Sequence, residues 1–316
     1  MDIEFLEARS QIIQKTRDFF KARGFLEVET PLLSPDLIPE TSIEVFKTEL
    51  LEAKSAPPKP LYLVPSPEIY MKKLIARHSR NIFQISKCFR NCEYSTPIHN
   101  FEFTMLEFYT INADYLESLS ITEALFDSLC GTQVFQIPFK RVTMEDAFKL
   151  HAGFSLLEAI KKERLQFHAK ALGLETRSGA SAEELFNLIF IHSVEPKLRN
   201  ERSLALIDYP AAVPCLAAPN PDGLTLQRWE LYVKGIEMAN CYSEETRAEA
   251  VKAYFEVQSE QKRLSARIPH NVDSDYWKIF QRSDSKPNLA YSGVAIGFDR
   301  LIMAICGLKN IDAILP

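Results

Sequence analysis

The sequence predicts an α+β fold built largely from antiparallel hairpins, and three stretches carry that prediction. Residues 84–109, QISKCFRNCEYSTPIHNFEFTMLEFY, read as strand, polar loop and strand. Residues 226–245, LQRWELYVKGIEMANCYSEE, read as a hairpin turning on Lys234-Gly235. Residues 4–23 repeat apolar positions at Leu6, Ile12, Ile13, Phe19 and Phe20, the spacing of an amphipathic helix.

That helix ends where Gly24 can cap it. The following GFLEVETPLL alternates like a strand, which Pro31 confines to a sheet boundary. A long helix feeding such a strand suits a dimer seam or simply an edge. Residues 51–60 form a polar, proline-rich loop. Leu61 to Val64 then suit a strand, and Ser66-Pro67-Glu68 opens a helix with acid in its first turn, where Glu68 serves either the helix end or a ligand.

In the 84–109 stretch, side chains repeat every second residue, so Phe103, Met105, Glu107 and Tyr109 share one face. Arg90 stands at the entrance to the loop and His99 near its exit. A ring, a carboxylate and a phenol on one sheet face make a poor core but a good floor for a charged ligand; the alternative is an ordinary half-exposed hairpin. From 110 to about 205 the pattern is mostly helical, with helices expected over Leu116–Leu129, Thr143–His151 and Ser181–His192, Thr143 and Ser181 being N-caps.

The Lys234-Gly235 hairpin should set Tyr232 opposite Glu237 and Glu230 opposite Ala239, which makes the two glutamates diagonal neighbours. Carboxylates so close repel unless a cation lies between them, and Mg²⁺ on a nucleotide phosphate fits; a solvated acidic hairpin is the other reading. In residues 288–307, Ser292, Gly293, Ala295 and Gly297 end a strand and let a ligand approach the backbone. Arg300 falls in the first turn of the next helix, where the macrodipole disfavours a cation unless it faces an anion or a flat ring.

Bulk properties narrow the function. A chain of 316 residues, 46% hydrophobic and 25% charged, is globular and makes one large domain or two modest ones. It has no apolar run long enough for a membrane span, and its acidic, polar start is unlike a signal peptide. A net charge of −5 argues against a general phosphate-backbone binder. Six cysteines without a CxxC pair favour reduced thiols in the cytoplasm over a zinc site. Neither GxxxxGK[ST] nor GxGxxG occurs. Two separated arginines, a carboxylate pair and an aromatic plane nonetheless form a set able to neutralise a triphosphate, hold Mg²⁺ and stack a base.

In order along the chain, RSQII…RGFLEVETP, FRN…HNFEFTMLEFY, and GIEMAN followed by GVAIGFDRL resemble motifs 1, 2 and 3 of class II aminoacyl-tRNA synthetases, and within these the lysyl branch. The resemblance covers nearly the whole chain. It implies a class II catalytic core, mainly antiparallel sheet flanked by helices, spanning 1–316 as a single domain with a mostly helical insertion at about 110–205. Lysyl-tRNA synthetases carry an anticodon-binding domain before motif 1, for which no room is expected here. A lysyl-type core without that domain resembles the elongation factor P–lysine ligases, which attach lysine, commonly (R)-β-lysine, to a lysine side chain of elongation factor P. Ala295, where lysyl-tRNA synthetases usually have glycine, and Ser66 both match these paralogues.

The resemblance implies ATP and Mg²⁺ as cofactors, an aminoacyl-adenylate intermediate and a homodimer, with tRNA not expected as a partner. It places Arg90 between the α-phosphate and the amino acid's carboxylate, Phe103 and Arg300 on either side of adenine, and His99 near the phosphates. Glu93, Asn100 and Gly297 belong to the same ATP site. Glu230 and Glu237 hold Mg²⁺. Glu68, with Ser66 and Ala295 nearby, meets the backbone-side ammonium, while Glu107, Tyr109, Asn240 and Glu244 meet the ε-ammonium. The sequence departs from the family in a motif 2 loop one residue longer, in Ile98 for an arginine, Phe101 for proline, and Cys241-Tyr242 for Gly-Phe. Two other readings share parts of this set: a minimal lysyl-tRNA synthetase, and a non-catalytic regulatory paralogue that binds an amino acid or adenylate.

Overall fold

The computed structural model describes residues 3–53, 56–92, 96–281 and 289–314, and the chain divides into two units, Met1–Asn112 with Thr246–Pro316, and Ala113–Glu245. The first unit begins with α1 (Ile3–Ala22), β1 (Leu26–Glu27), β2 (Leu33–Ser34), β3 (Phe46–Leu50) and β4 (Lys59–Leu63). It continues through α2 (Glu68–His78), β5 (Ile82–Phe89) and β6 (Glu102–Ile111). The second unit holds α3 (Tyr115–Cys130), β7 (Lys140–Thr143), α4 (Met144–His151), α5 (Leu156–Lys161), α6 (Leu165–Ala171) and α7 (Ala182–Ile189). Three strands close it, β8 (Leu204–Pro210), β9 (Thr225–Val233) and β10 (Ile236–Ser243). The chain returns to the first unit with α8 (Ala248–Ser265), β11 (Tyr291–Gly297) and α9 (Phe298–Cys306).

In the first unit the strand order is β1-β5-β6-β11, antiparallel except that β1 runs parallel to β5. Strand alternation gives this sheet two different faces. Phe83 and Phe108 are register partners and fully buried, and Phe20 of α1 lies on both, with ring centroids 4.8 and 5.0 Å away. The amphipathic helix therefore covers the even face of β6, and burial of such rings is a main source of stability for this unit. Gly24, at φ +76, ends α1 as expected: its amide donates to Lys21 and that of Phe25 to Phe20. Across the covered face, Asp299 of α9 accepts hydrogen bonds from Arg9 (2.6 Å) and from the Thr104 amide (2.6 Å), which ties α1, β6 and α9 together. A second small sheet, β2-β4-β3, carries the loop that leads from β2 to β3.

In the second unit the order is β10-β9-β8-β7, with β7 parallel to β8. Its helices start as their sequences predict. Thr143 and Ser181 cap α4 and α7, and Asp114 with Glu117 forms a capping box on α3, which starts one residue before the expected Leu116. The apolar faces of α4 to α7 enclose their own core, in which Phe148 and Phe186 stack at 5.4 Å. Trp229, fully buried on β9, donates its indole N–H to the Tyr115 carbonyl (2.5 Å), which anchors the sheet to α3.

Candidate active site

The face of the first sheet opposite α1 collects the predicted floor. Register pairs Gln84 with Glu107, Ser86 with Met105 and Cys88 with Phe103, while Ala295 and Gly297 of β11 pair with Glu107 and Met105. Directly paired residues project to the same side, so Gln84, Glu107, Tyr109, Phe103, Ala295 and Gly297 share one surface. Glu107 is nearly fully buried and accepts a hydrogen bond from the Tyr109 hydroxyl (3.3 Å). Arg90 follows the last residue of β5 and holds its guanidinium over the Phe103 ring at 5.2 Å. A cation and a ring so arranged leave one ring face for a second planar group.

The loop beyond Arg90 is fixed at both ends. The Arg90 amide donates to Phe101, the Asn91 amide to Glu44 (2.8 Å), and the Asn91 side chain to the Val45 carbonyl (3.3 Å). His99 is oriented by Thr96, whose hydroxyl lies 2.6 Å from Nδ1, and Asn100 accepts from the Glu102 amide. Arg300 does occupy the first turn of α9, and its Nε donates to the Ile98 carbonyl at 3.3 Å. Ile98, which stands where the resemblance leads one to expect an arginine, thus contributes its backbone carbonyl to Arg300. Glu93 lies outside the described residues.

At the start of α2, Ser66 and Glu68 are half-buried. Pro67, not Ser66, is the N-cap, without a capping side chain, so Ser66 keeps its hydroxyl for other partners. Glu68 is not simply open to a ligand: Lys72, one turn on and 1% exposed, donates to it at 2.5 Å. Sequence reading missed this pair, because a lysine four residues after a glutamate looks like helix-surface decoration. It also missed Gln84. That side chain is 2% exposed and, among the described residues, its amide oxygen has no hydrogen-bond partner. A buried amide oxygen left so is costly without a donor, and a ligand can provide one.

The acidic hairpin of the second unit differs from expectation in one respect. Lys234 and Gly235 both have positive φ and make the turn, and Tyr232 pairs with Glu237 as predicted. A bulge between Glu237 and Ala239 then shifts the register, so that Glu230 pairs with Asn240 and not with Ala239. The extra residue buries Met238 and Ala239 in succession and turns Asn240 to the side of Glu230. Glu230 and Glu237 remain on one face through Tyr232. Glu230 is buried and accepts from Arg228 (2.5 Å) and the Tyr232 hydroxyl (2.7 Å), whereas Glu237 is exposed. Burial, with the Glu230 carboxylate beside it, pushes the Tyr232 phenol well above its ordinary range and keeps it a donor. Asn240 donates to the Tyr242 hydroxyl (3.0 Å), and Glu244 is buried beyond the strand.

The described residues hold no group of three or more His, Cys, Asp or Glu side chains placed for a metal. Two carboxylates on one face, one of them exposed, fit a Mg²⁺ that draws its remaining ligands from phosphate and water. Thiolate chemistry is disfavoured at Cys88, Cys215 and Cys241, where burial raises the thiol pKa.

The family described as class II tRNA synthetases (D, K and N) matches residues 3–316, and the chain belongs to that family. Within it, the chain is 32% identical over 314 residues to the elongation factor P–(R)-β-lysine ligase of Avibacterium paragallinarum, covering 99% of this chain and 94% of that protein. It is 35% identical to the homologue of that ligase from Aquifex aeolicus, covering 98% of each, and 35% identical to the ligase of Vibrio cholerae, covering 99% and 94%.

Proposed function

We propose that this protein is an ATP-dependent ligase that activates lysine or (R)-β-lysine as an adenylate and transfers it to a lysine side chain of elongation factor P. The observation that carries the reading is the register that sets Ala295 and Gln84 on either side of Glu107. It gives a buried, anionic, amide-lined floor suited to a diamino acid, with Arg90 and Phe103 further along the same face. Similarity to the named ligases over nearly the whole chain supports it.

In the first step the amino acid's carboxylate attacks the α-phosphate of ATP and pyrophosphate leaves. The nucleophile is already ionised, so positioning and charge neutralisation do the work. Arg90 meets the carboxylate and the α-phosphate, Phe103 and Arg300 hold adenine, and His99 and Asn100 line the phosphate side with Gly297. Glu230 and Glu237 would hold Mg²⁺, which when bound would supply charge neutralisation for phosphate. Glu107, Tyr109 and Gln84 receive the ε-ammonium, and Glu68 with Ser66 receives the backbone-side ammonium. In the second step an acceptor amine attacks the adenylate's carbonyl and AMP departs.

Exposed Ile3, Leu6, Leu26 and Leu33 on α1, β1 and β2 support a homodimer. Six free cysteines suit a reducing compartment, and we place the enzyme in the cytoplasm. The experiment is mass spectrometry of elongation factor P incubated with the enzyme, ATP and each lysine isomer. A mass increase by one lysyl or β-lysyl group is expected. Efficient charging of tRNA with no modified elongation factor P would overturn the reading.

A further inference from the structure

We propose that Gln84 restricts the ε-amine site to an unsubstituted primary ammonium: its buried amide oxygen takes an N–H of that group, which excludes diamino acids methylated on the ε-nitrogen. The inference rests on the adenylation reading above and deepens it. It starts from register. Gln84 pairs with Glu107 from β5, and Ala295 pairs with Glu107 from β11, so the three form one row across the sheet. Neighbouring strands lie about 4.8 Å apart, and paired residues project to the same side. Gln84 therefore rises next to Glu107 on the face away from α1.

Packing alone does not call for a glutamine there. Ile82 and Phe83 before it are buried and apolar, and Gln84 itself is 2% exposed. Its amide oxygen is buried and, among the described residues, has no hydrogen-bond partner. An apolar side chain of the same size would fill the position without that desolvation cost. Solvent nonetheless reaches the surroundings. Ala295, on the other side of Glu107, is half-buried, as are Ser86 and Gly297, which flank Met105 in the next row. A small molecule can thus approach the row that holds the orphaned oxygen.

The chemistry of that oxygen selects what it meets. A primary ammonium brings one charge and three N–H donors. Glu107 answers the charge, and Tyr109, whose hydroxyl donates to Glu107 at 3.3 Å, belongs to the same polar set. Gln84 adds an acceptor without adding charge. A carboxylate in its place would set two like charges directly opposite each other. Each methyl group on the ε-nitrogen keeps the cation and removes one N–H. A site that recognises N–H groups through buried acceptors rejects analogues lacking them more strongly than a site that measures size. Gln84 acts on the choice of substrate, since no bond is made or broken at the ε-nitrogen.

The test is ATP–pyrophosphate exchange with lysine and (R)-β-lysine and with their Nε-methyl and Nε,Nε-dimethyl derivatives. In the unsubstituted enzyme kcat/KM should fall about tenfold or more with the first methyl group and again with the second. Gln84→Met keeps the size and removes the acceptor. It should raise the KM of the unmethylated substrate about tenfold or more and leave the KM of ATP within about twofold. Its preference for that substrate over the Nε-methyl derivative should fall by a similar factor. Gln84→Glu retains an acceptor oxygen and should retain the preference. Because the amide oxygen has no partner in the ligand-free protein, the Tm of Gln84→Met without substrate should equal or exceed that of the unsubstituted enzyme. Equal use of methylated and unmethylated substrates by the unsubstituted enzyme overturns the proposal without recourse to any variant. A preference unchanged in Gln84→Met also overturns it, because the site then measures size. So does a lowered ligand-free Tm with the preference intact, which marks Gln84 as a structural residue only. Failure of the unsubstituted enzyme to exchange with either unmethylated diamino acid overturns the adenylation reading itself, so the two failures are told apart.

Discussion

Arg9 and Asp299, near opposite ends of the chain, meet at 2.6 Å in the first unit, and Asp299 is 2% exposed. The carboxylate also accepts from the Thr104 amide at 2.6 Å, so it joins the motif 1 helix, the floor strand and the helix that carries Arg300. Replacing Asp299 by Asn leaves Arg9 without its counter-charge and weakens both bonds. Loss of roughly 3 kcal/mol of unfolding free energy is expected, read from urea denaturation. A loss below about 0.5 kcal/mol would show that the junction does not hold these elements.

Arg90 lies over Phe103 and, in the proposed mechanism, faces the bond being made. Arg90→Ala should lower ATP–pyrophosphate exchange by about 10²–10³-fold or more, with the circular dichroism spectrum and Tm preserved. Full exchange in this variant would remove Arg90 from the reaction.

Ala295 pairs with Glu107 across the floor, so its methyl group borders the amino-acid pocket. Ala295→Gly should shift preference from β-lysine toward α-lysine. One methyl group is worth about 1–3 kcal/mol of discrimination, or about 10–200-fold, and competition between the isomers measures it. An unaltered ratio would locate selectivity elsewhere.

The two hairpin glutamates should respond differently. Glu237 is exposed, so Glu237→Gln is expected to raise the Mg²⁺ concentration for half-maximal exchange about tenfold while leaving Tm unchanged. Chelation by EDTA should stop exchange in the unsubstituted enzyme and added Mg²⁺ restore it. Exchange that persists after chelation would exclude the assigned role.

Glu40 connects pH to stability with an unusual sign. Its folded-state pKa, about 7, lies above the ordinary glutamate value of 4.5, so ionising it opposes folding. The protonated form is favoured fully below about 4.5, and stability is lost as pH rises through about 7. Glu40→Gln should therefore stabilise the ligand-free enzyme at pH 8 by on the order of 1–3 kcal/mol and have little effect at pH 4.5. Equal effects at both pH values would contradict the shift.

What could be read from the sequence follows from which interactions are local. Alternation in 103–109 placed Glu107 and Tyr109 on one face because the strand is regular throughout. Thr143 and Ser181 identified helix starts because capping acts over three residues. The pairing of Glu230 with Asn240 was not legible, since an inserted residue leaves no gap in the sequence, although the adjacent apolar Met238 and Ala239 break the alternation and signal it. Lys72, Gln84 and Glu40 owe their character to burial by distant segments, and no period in DLIPETSI points toward Arg90. The Arg9–Asp299 junction likewise depends on the fold bringing the two ends of the sequence together.

The bulge at Met238 sets a reading frame for the second hairpin. Beyond it, every side chain of β10 presents the face it does because one residue too many has been counted in. Removing Met238 would leave the composition nearly intact, yet it would rotate Asn240 and Tyr242 to the opposite side and send Cys241 into their place. Length between Glu237 and Asn240 is thus under a constraint that side-chain identity alone does not reveal. Point substitutions there should be tolerated far more readily than a single deletion.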